Sequence, residues 1–237
     1  MSYIEWKNWN ENEFGKHTVI ENSYYELEIM PFLNPTVSSP RVLEIGFGNG
    51  AFLGWCLGKS VHYVGIEAIP ILRDRAQRKS VDVFSDINDL DFEIFKNSFD
   101  LIVAFNVIEH IEQKNLPDFF LKIRSLLKSG AYFIARFPNG DSPFGRMNQH
   151  GDLTHVTTLG RHKLFQLAMM AEFEVIRVAA PKLLPQRGLM KKIKIMAGNI
   201  LRFCIEKPIR FLYFDNQAVA FSADYIAVLK KQKNDRS

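Results

Sequence analysis

Cysteine is nearly absent: the 237 residues contain only Cys56 and Cys204. A pair so far apart supports neither a disulfide framework nor a thiolate zinc cluster. Cys56, within Phe52-Leu53-Gly54-Trp55-Cys56-Leu57, reads as a small buried hydrophobe. No apolar run reaches the length of a membrane-spanning helix. The opening residues, Met1-Ser2-Tyr3-Ile4-Glu5-Trp6, lack the charged-then-apolar pattern of an export signal. There is no internal repeat and no low-complexity tract. These absences argue against a disulfide-stapled scaffold, an integral membrane protein and a repeat array. They lead to the expectation of a cytoplasmic, reducing location.

What is present is ordinary in bulk. The chain is 47% hydrophobic and 24% charged, enough to bury a core without staples. Phenylalanine is abundant at 20 copies, which points to aromatic packing in the core or in a substrate pocket. The net charge of +4 is mild but uneven. Residues 181–216 hold eight Lys and Arg against two acids, so this one segment carries +6.

Along the chain, residues 1–40 are polar and aromatic, with a helix expected near Val19–Met30 before a Pro- and Ser-rich linker. Residues 41–180 then alternate strand and helix patterns. Strands are expected at Val42–Ile45, His62–Ile66, Val81–Phe84, Leu101–Phe105, Ala131–Ala135 and Glu174–Val178, and a seventh at Asp224–Leu229 within 217–237, ahead of a charged tail. Helical spacing fills Ala51–Leu57, Ile69–Lys79, Leu116–Leu127 and Leu159–Ala171. The fold class is therefore α/β, a doubly wound, mostly parallel sheet of seven strands with helices on both faces. Such sheets bind ligands at the carboxyl ends of their strands.

The first strand runs directly into Glu44-Ile45-Gly46-Phe47-Gly48-Asn49-Gly50. Glycines at alternate positions permit positive φ and close approach of a ligand to the backbone. The spacing alone fits two cofactors. Gly46-x-Gly48-x-x-Ala51 satisfies a dinucleotide fingerprint, and Glu67 stands 21 residues after Gly46, where a ribose-binding acid is expected. Any adenosine-containing cofactor wants such an acid at the end of the second strand.

Val42-Leu43-Glu44-Ile45-Gly46-Phe47-Gly48-Asn49-Gly50 closely resembles the first motif of the Rossmann-like methyltransferases, including the acid Glu44 that the dinucleotide fingerprint lacks. Ser98-Phe99-Asp100-Leu101-Ile102-Val103-Ala104-Phe105-Asn106-Val107-Ile108-Glu109-His110-Ile111 resembles the family's fourth-strand motif. The match covers residues near 41–138. It implies S-adenosyl-L-methionine as cofactor, held by Glu44, Gly46, Phe47, Gly48, Asn49 and Gly50, with Glu67 and Ala68 at the ribose, Asp86 and Ile87 at the adenine, and Asn106 and Val107 at the methionine end.

Methyl transfer to a hydroxyl needs alignment and a base, commonly histidine. His110 follows the fourth strand, as catalyst or as a residue bridging loops. His155 follows the fifth, in a long polar stretch from Phe137 to His155. That stretch resembles a segment of bacterial methyltransferases of cell-surface polysaccharide (O-antigen or capsule) synthesis. His155 is assigned as the base and Asp152 as its orienting or substrate-holding partner. His150, Asp152 and His155 also have the composition of a metal site, but no second carboxylate cluster supports it and no metal is expected. The implied acceptor is a glycan or another small hydroxyl-bearing molecule. Small-molecule or protein methylation on the same scaffold and a non-catalytic cofactor-binding module are the alternatives.

The basic segment 181–216 is expected as an amphipathic helical insertion before the last strand. Leu189, Ile193, Met196, Ile200, Phe203 and Cys204 share one face, and Lys191, Lys194 and Arg202 the other, with Lys192 at the flank. It is either a lid on its own domain or a peripheral contact with an anionic membrane, at the inner face of that membrane. A nucleic-acid partner ranks below both, because no RNA-binding module accompanies the segment.

Overall fold

The computed structural model describes residues 3–184, 189–215 and 219–232. Its strands are β1 (Arg41–Ile45), β2 (His62–Ile66), β3 (Asp82–Phe84), β4 (Phe99–Phe105), β5 (Leu127–Pro138), β6 (Phe173–Ala179) and β7 (Asp224–Lys231). They form one sheet in the order β3-β2-β1-β4-β5-β7-β6. β1 to β5 are mutually parallel, and β7 runs antiparallel to both β5 and β6. The order reverses between β1 and β4, so the crevice beyond their carboxyl ends is the ligand position of this architecture.

The helices are α1 (Tyr3–Trp6), α2 (Val19–Glu28), α3 (Ala51–Leu57), α4 (Pro70–Gln77), α5 (Phe92–Phe95), α6 (Leu116–Leu126), α7 (Arg146–His150), α8 (Arg161–Met170) and α9 (Leu189–Tyr213). Side-chain alternation along each strand divides the core into two. Leu43, Ile45, Ile102, Ala104, Phe133 and Leu229 face one core, closed by Phe120 and Ile123 of α6 and Leu164 of α8. Val42, Leu101, Val103, Ile134 and Val228 face the other, closed by Tyr25 of α2, Phe52 and Trp55 of α3 and Leu72 of α4. Helices thus cover both faces of a Rossmann-like sheet, as the sequence pattern requires.

Local chemistry sets the helix starts. Thr18 and Glu21 form a reciprocal capping box at α2, with Thr18 Oγ1 accepting from the Glu21 N–H at 3.1 Å and Glu21 Oε2 accepting from the Thr18 N–H at 2.7 Å. Pro70 opens α4 where no intrahelical donor is needed. Tyr25 packs on Phe52 (ring centroids 5.1 Å apart), which stacks on Trp55 at 5.4 Å, so α2 braces α3 and the loop before it. The fully buried Glu28 of α2 is paired with Arg177 of β6.

β5 is longer than the expected Ala131–Ala135. Lys128 enters the strand by pairing with Asp100 of β4 at 2.7 Å, and Gly130 takes φ +80°. The basic segment is helical over Leu189–Tyr213, as expected. Met196, Ile200, Phe203, Phe211 and Leu212 are exposed, and its described tether is Arg210, which donates to the Val219 carbonyl at 2.9 Å. Arg187, the side chains of Leu189, Lys191, Lys192 and Lys194, and the tail 233–237 lie outside the described residues.

Candidate functional site

The glycine loop leaves β1 at the switch point. Gly46 takes φ +71° and Gly48 φ +51°, left-handed conformations that favour glycine. Neither position has room for a side chain. A Cβ on Gly46 would lie 2.5 Å from Val107 Cγ2, and one on Gly48 would lie 2.8 Å from the Trp9 indole. The Gly46 N–H donates to the Ile66 carbonyl at 2.7 Å, holding the loop against the end of β2. Phe47 is buried over Gly65, and Phe14 packs at Gly50.

Glu67 is buried at the end of β2. Its carboxylate accepts from the Gly48 N–H at 2.9 Å and from the Ile69 N–H at 3.0 Å. Ala68 beside it is exposed, and its carbonyl accepts from Arg73 at 2.7 Å. Asn49 contributes its carbonyl to the Gly15 N–H at 2.9 Å, while its buried side-chain oxygen has no partner among the described residues. Glu44 lies below the loop. Burial pushes its carboxyl up to about 8, and it accepts from Tyr63 Oη at 2.7 Å. After β3, exposed Asp86 caps the turn holding buried Ile87. After β4, Asn106 takes φ +57° and accepts from Arg136 Nε at 3.0 Å.

His110 and His155, 45 positions apart in the sequence, come together with ring centroids 4.6 Å apart and edge to face. His155 Nδ1 lies 3.0 Å from the Gln149 carbonyl, an acceptor only, so this nitrogen is a donor and the neutral ring has its lone pair on Nε2. His110 Nδ1 lies 3.2 Å from the Thr154 carbonyl and 3.0 Å from Thr154 Oγ1, whose own proton goes to Asp152 Oδ1 at 2.6 Å. The neutral His110 ring therefore has its lone pair on Nε2 as well. Burial and the neighbouring His155 hold His110 below the ordinary imidazole value.

Asp152 is also brought to this cluster. Burial pushes its carboxyl up, but hydrogen bonds from Thr154 and the Lys7 ammonium, 3.2 Å away, bring it down to about 2. His150 is not brought in; it is exposed at the end of α7.

Two features have no counterpart in the sequence reading. The first is Glu109. It is fully buried, neither carboxylate oxygen has a hydrogen-bond partner among the described residues, and Oε1 lies 3.9 Å from His155 Nε2. Burial pushes its carboxyl up to about 8. The second is the N-terminal segment. Tyr3 donates to Asp152 Oδ2 at 3.3 Å and packs on Trp9 at 5.9 Å, and Trp9 covers Gly48. One strap of aromatic residues thus spans the glycine loop and the histidine pair. Its only sequence signal is the aromatic density of residues 3–14.

Among solved structures, the chain is similar to a SAM-dependent methyltransferase from Archaeoglobus fulgidus (TM-score 0.65, 18% identity, 97% of this chain and 98% of that one). It is also similar to an S-adenosylmethionine-dependent methyltransferase from Mesorhizobium loti (TM-score 0.59, 12% identity, 89% and 99%). A third is the geranyl diphosphate C-methyltransferase of Streptomyces coelicolor, solved with Mg²⁺, geranyl diphosphate and S-adenosyl-L-homocysteine (TM-score 0.58, 14% identity, 90% and 80%). At these identities the likeness establishes the fold. No curated protein matches the sequence. The family defined as a methyltransferase domain matches residues 20–178, two thirds of the chain, and the protein belongs to that methyltransferase family.

Proposed function

We propose that this chain transfers a methyl group from S-adenosyl-L-methionine to a hydroxyl oxygen of an acceptor seated at His110 and His155. The observation that supports the reading is the pairing of the His110 and His155 imidazoles beside Asp152, which Tyr3 and Trp9 link to the glycine loop.

The residues at the loop fit this cofactor. Glu67 presents a buried carboxylate at the end of β2, suited to a ribose diol, and the orphaned Asn49 oxygen suits a donor on the ligand. Gly46 to Gly50, with Phe47 beneath, form the wall; Asp86 and Ile87 flank the adenine position, and Asn106 and Val107 the methionine end. Glu44 supports the loop from below through Tyr63. The cofactor supplies an electrophilic methyl group. The chain aligns the acceptor oxygen with it, excludes water with the Tyr3–Trp9 strap, and receives the hydroxyl proton on His155 Nε2 or His110 Nε2. Asp152 holds Thr154 and, through it, His110.

The acceptor class in this reading is a glycan, on the strength of the polar stretch 137–155 that frames the histidines. The exposed apolar residues of α9 and the +6 charge of 181–216 support contact with an anionic lipid surface, where lipid-linked glycans reside. No helix among the described residues is long and apolar enough to cross a membrane.

The test is product analysis. The chain is incubated with S-adenosyl-L-methionine and panels of nucleotide sugars and lipid-linked glycans, and products are read by mass spectrometry. An O-methylated sugar is expected, with turnover lost in His155→Ala and His110→Ala. A methyl group on nitrogen or carbon, or full turnover in both variants on the true acceptor, overturns the assignment.

A further inference from the structure

We infer that Glu109, His110 and His155 form a binding site for a divalent transition-metal ion at the acceptor end of the crevice. The observation is the convergence of three groups able to ligate a metal ion. One ligand atom from each lies within 4.8 Å of the others. Neither Glu109 oxygen has a hydrogen-bond partner among the described residues, although the residue is fully buried. A buried carboxyl group without a partner is costly in either protonation state, and a cation is a partner that can engage both oxygens at once.

The two imidazoles are prepared for the same task. Each engages its Nδ1 with a backbone carbonyl, Thr154 for His110 and Gln149 for His155, which leaves Nε2 as the free lone pair. Metal-ligating histidines are commonly fixed this way, with the far nitrogen donating to a carbonyl or carboxylate. Glu109 is fixed too, since its own carbonyl accepts from the Val156 N–H at 2.9 Å and the Thr157 N–H at 3.0 Å. The strand-end turn carrying Glu109 and His110 is thereby tied to the segment carrying His155.

Two imidazoles and one carboxylate suit Zn²⁺, Co²⁺, Fe²⁺ or Mn²⁺ better than Mg²⁺ or Ca²⁺, which prefer all-oxygen shells. Metal–ligand bonds of about 2.0–2.2 Å place adjacent donors about 3–3.5 Å apart, so side-chain closure of up to about 2 Å completes the set. Three protein ligands leave coordination positions open to an acceptor oxygen. Asp152 stands beside the site, Oδ2 3.9 Å from His155 Nε2, but is engaged by Lys7 and Thr154 and is not counted as a ligand. The site differs from the His150, Asp152 and His155 trio suggested by spacing, because His150 is exposed at the end of α7.

The catalytic meaning of this site rests on the acceptor reading above: a bound cation would hold the acceptor hydroxyl and lower its pKa, the proton passing to solvent and not to the imidazoles, which would then be ligands. Its occupancy does not depend on that reading and is tested separately. The full-length protein, stripped with a chelator, is titrated with Co²⁺ and followed by visible d–d absorption and calorimetry. S-adenosyl-L-homocysteine affinity is measured in parallel. One equivalent of Co²⁺ is expected, with affinity falling at least about tenfold in His155→Ala, His110→Ala and Glu109→Gln, and unchanged in His150→Ala. S-adenosyl-L-homocysteine binding reports that each variant is folded, and Glu109→Asp serves if the glutamine variant is not. Absence of stoichiometric Co²⁺ binding by the wild type overturns the site, as does binding that survives both histidine substitutions or is lost in His150→Ala. Intact S-adenosyl-L-homocysteine binding in those cases leaves the cofactor reading standing. Its absence from a protein that binds Co²⁺ overturns the cofactor reading and keeps the metal site.

Discussion

The Glu67 carboxylate accepts the Gly48 N–H at 2.9 Å, joining the end of β2 to the middle of the loop that follows β1. One side chain therefore shapes the loop and offers the acid that a ribose diol would meet. Glu67→Ala removes both functions. Charge-assisted hydrogen bonds contribute about 1.5–3 kcal/mol each, so S-adenosyl-L-homocysteine affinity is expected to fall about 10- to 100-fold by calorimetry. An unchanged dissociation constant would show that the cofactor is not held at this strand end.

The loop and its acid were legible because their signals are local. Val42 to Ile45 is an apolar run, the glycines follow at once, and Glu67 closes the next strand. The seven strands were legible for the same reason, although β5 was read short, since Lys128-Ser129-Gly130 looks like a turn until Lys128 finds Asp100. Contacts made at a distance were not legible. Nothing in residues 3–14 announces that Tyr3 will reach Asp152 or that Trp9 will cover Gly48. Glu109 stood in the sequence only as one residue of the fourth-strand motif, and the folded chain reveals that both its oxygens are buried with no partner among the described residues. The spacing of His150, Asp152 and His155 suggested a trio that the end of α7 separates.

The Trp9 strap leads to a kinetic expectation. Its indole covers Gly48 and packs on Tyr3, while the Gly15 N–H donates to the Asn49 carbonyl at 2.9 Å. With the cofactor at the position proposed above, this segment would have to move for it to enter or leave. In Trp9→Ala, release of S-adenosyl-L-homocysteine is expected to be about tenfold faster in stopped-flow displacement, roughly the rate change of 1.4 kcal/mol. Unaltered release would mean that the strap does not gate the loop.

Glu44 makes stability depend on pH. Burial raises its folded-state pKa to about 8, whereas an unfolded glutamate titrates near 4.3. Between those values the folded chain binds the extra proton, so stability from this group is complete below the unfolded pKa and is lost as pH rises through about 8. The melting temperature is expected to decline from pH 5 to pH 8. Glu44→Gln keeps a neutral group beneath the loop and flattens that part of the profile, the difference at pH 8 being several degrees at about 2–4 °C per kcal/mol. Identical slopes in the two proteins would show that Glu44 is ionised in the fold.

The exposed face of α9 makes the last expectation quantitative. Met196, Ile200, Phe203, Phe211 and Leu212 are all more than half exposed, an arrangement that costs free energy in water unless another apolar phase receives it. The charge of the same segment selects an anionic phase, at about 1 kcal/mol for each basic residue near the surface. The protein should therefore sediment with phosphatidylglycerol vesicles at low salt and far less with phosphatidylcholine. Raising salt should release it, because the surface attraction is screened within about 10 Å at 0.1 M. Arg202→Glu with Lys207→Glu should weaken binding at least about tenfold, and Phe203→Ser should weaken it without changing the salt dependence. Equal binding to both lipids, or none to phosphatidylglycerol at low salt, would remove the membrane from the account. Salt-sensitive binding to vesicles that persists in both variants would place the contact elsewhere on the chain.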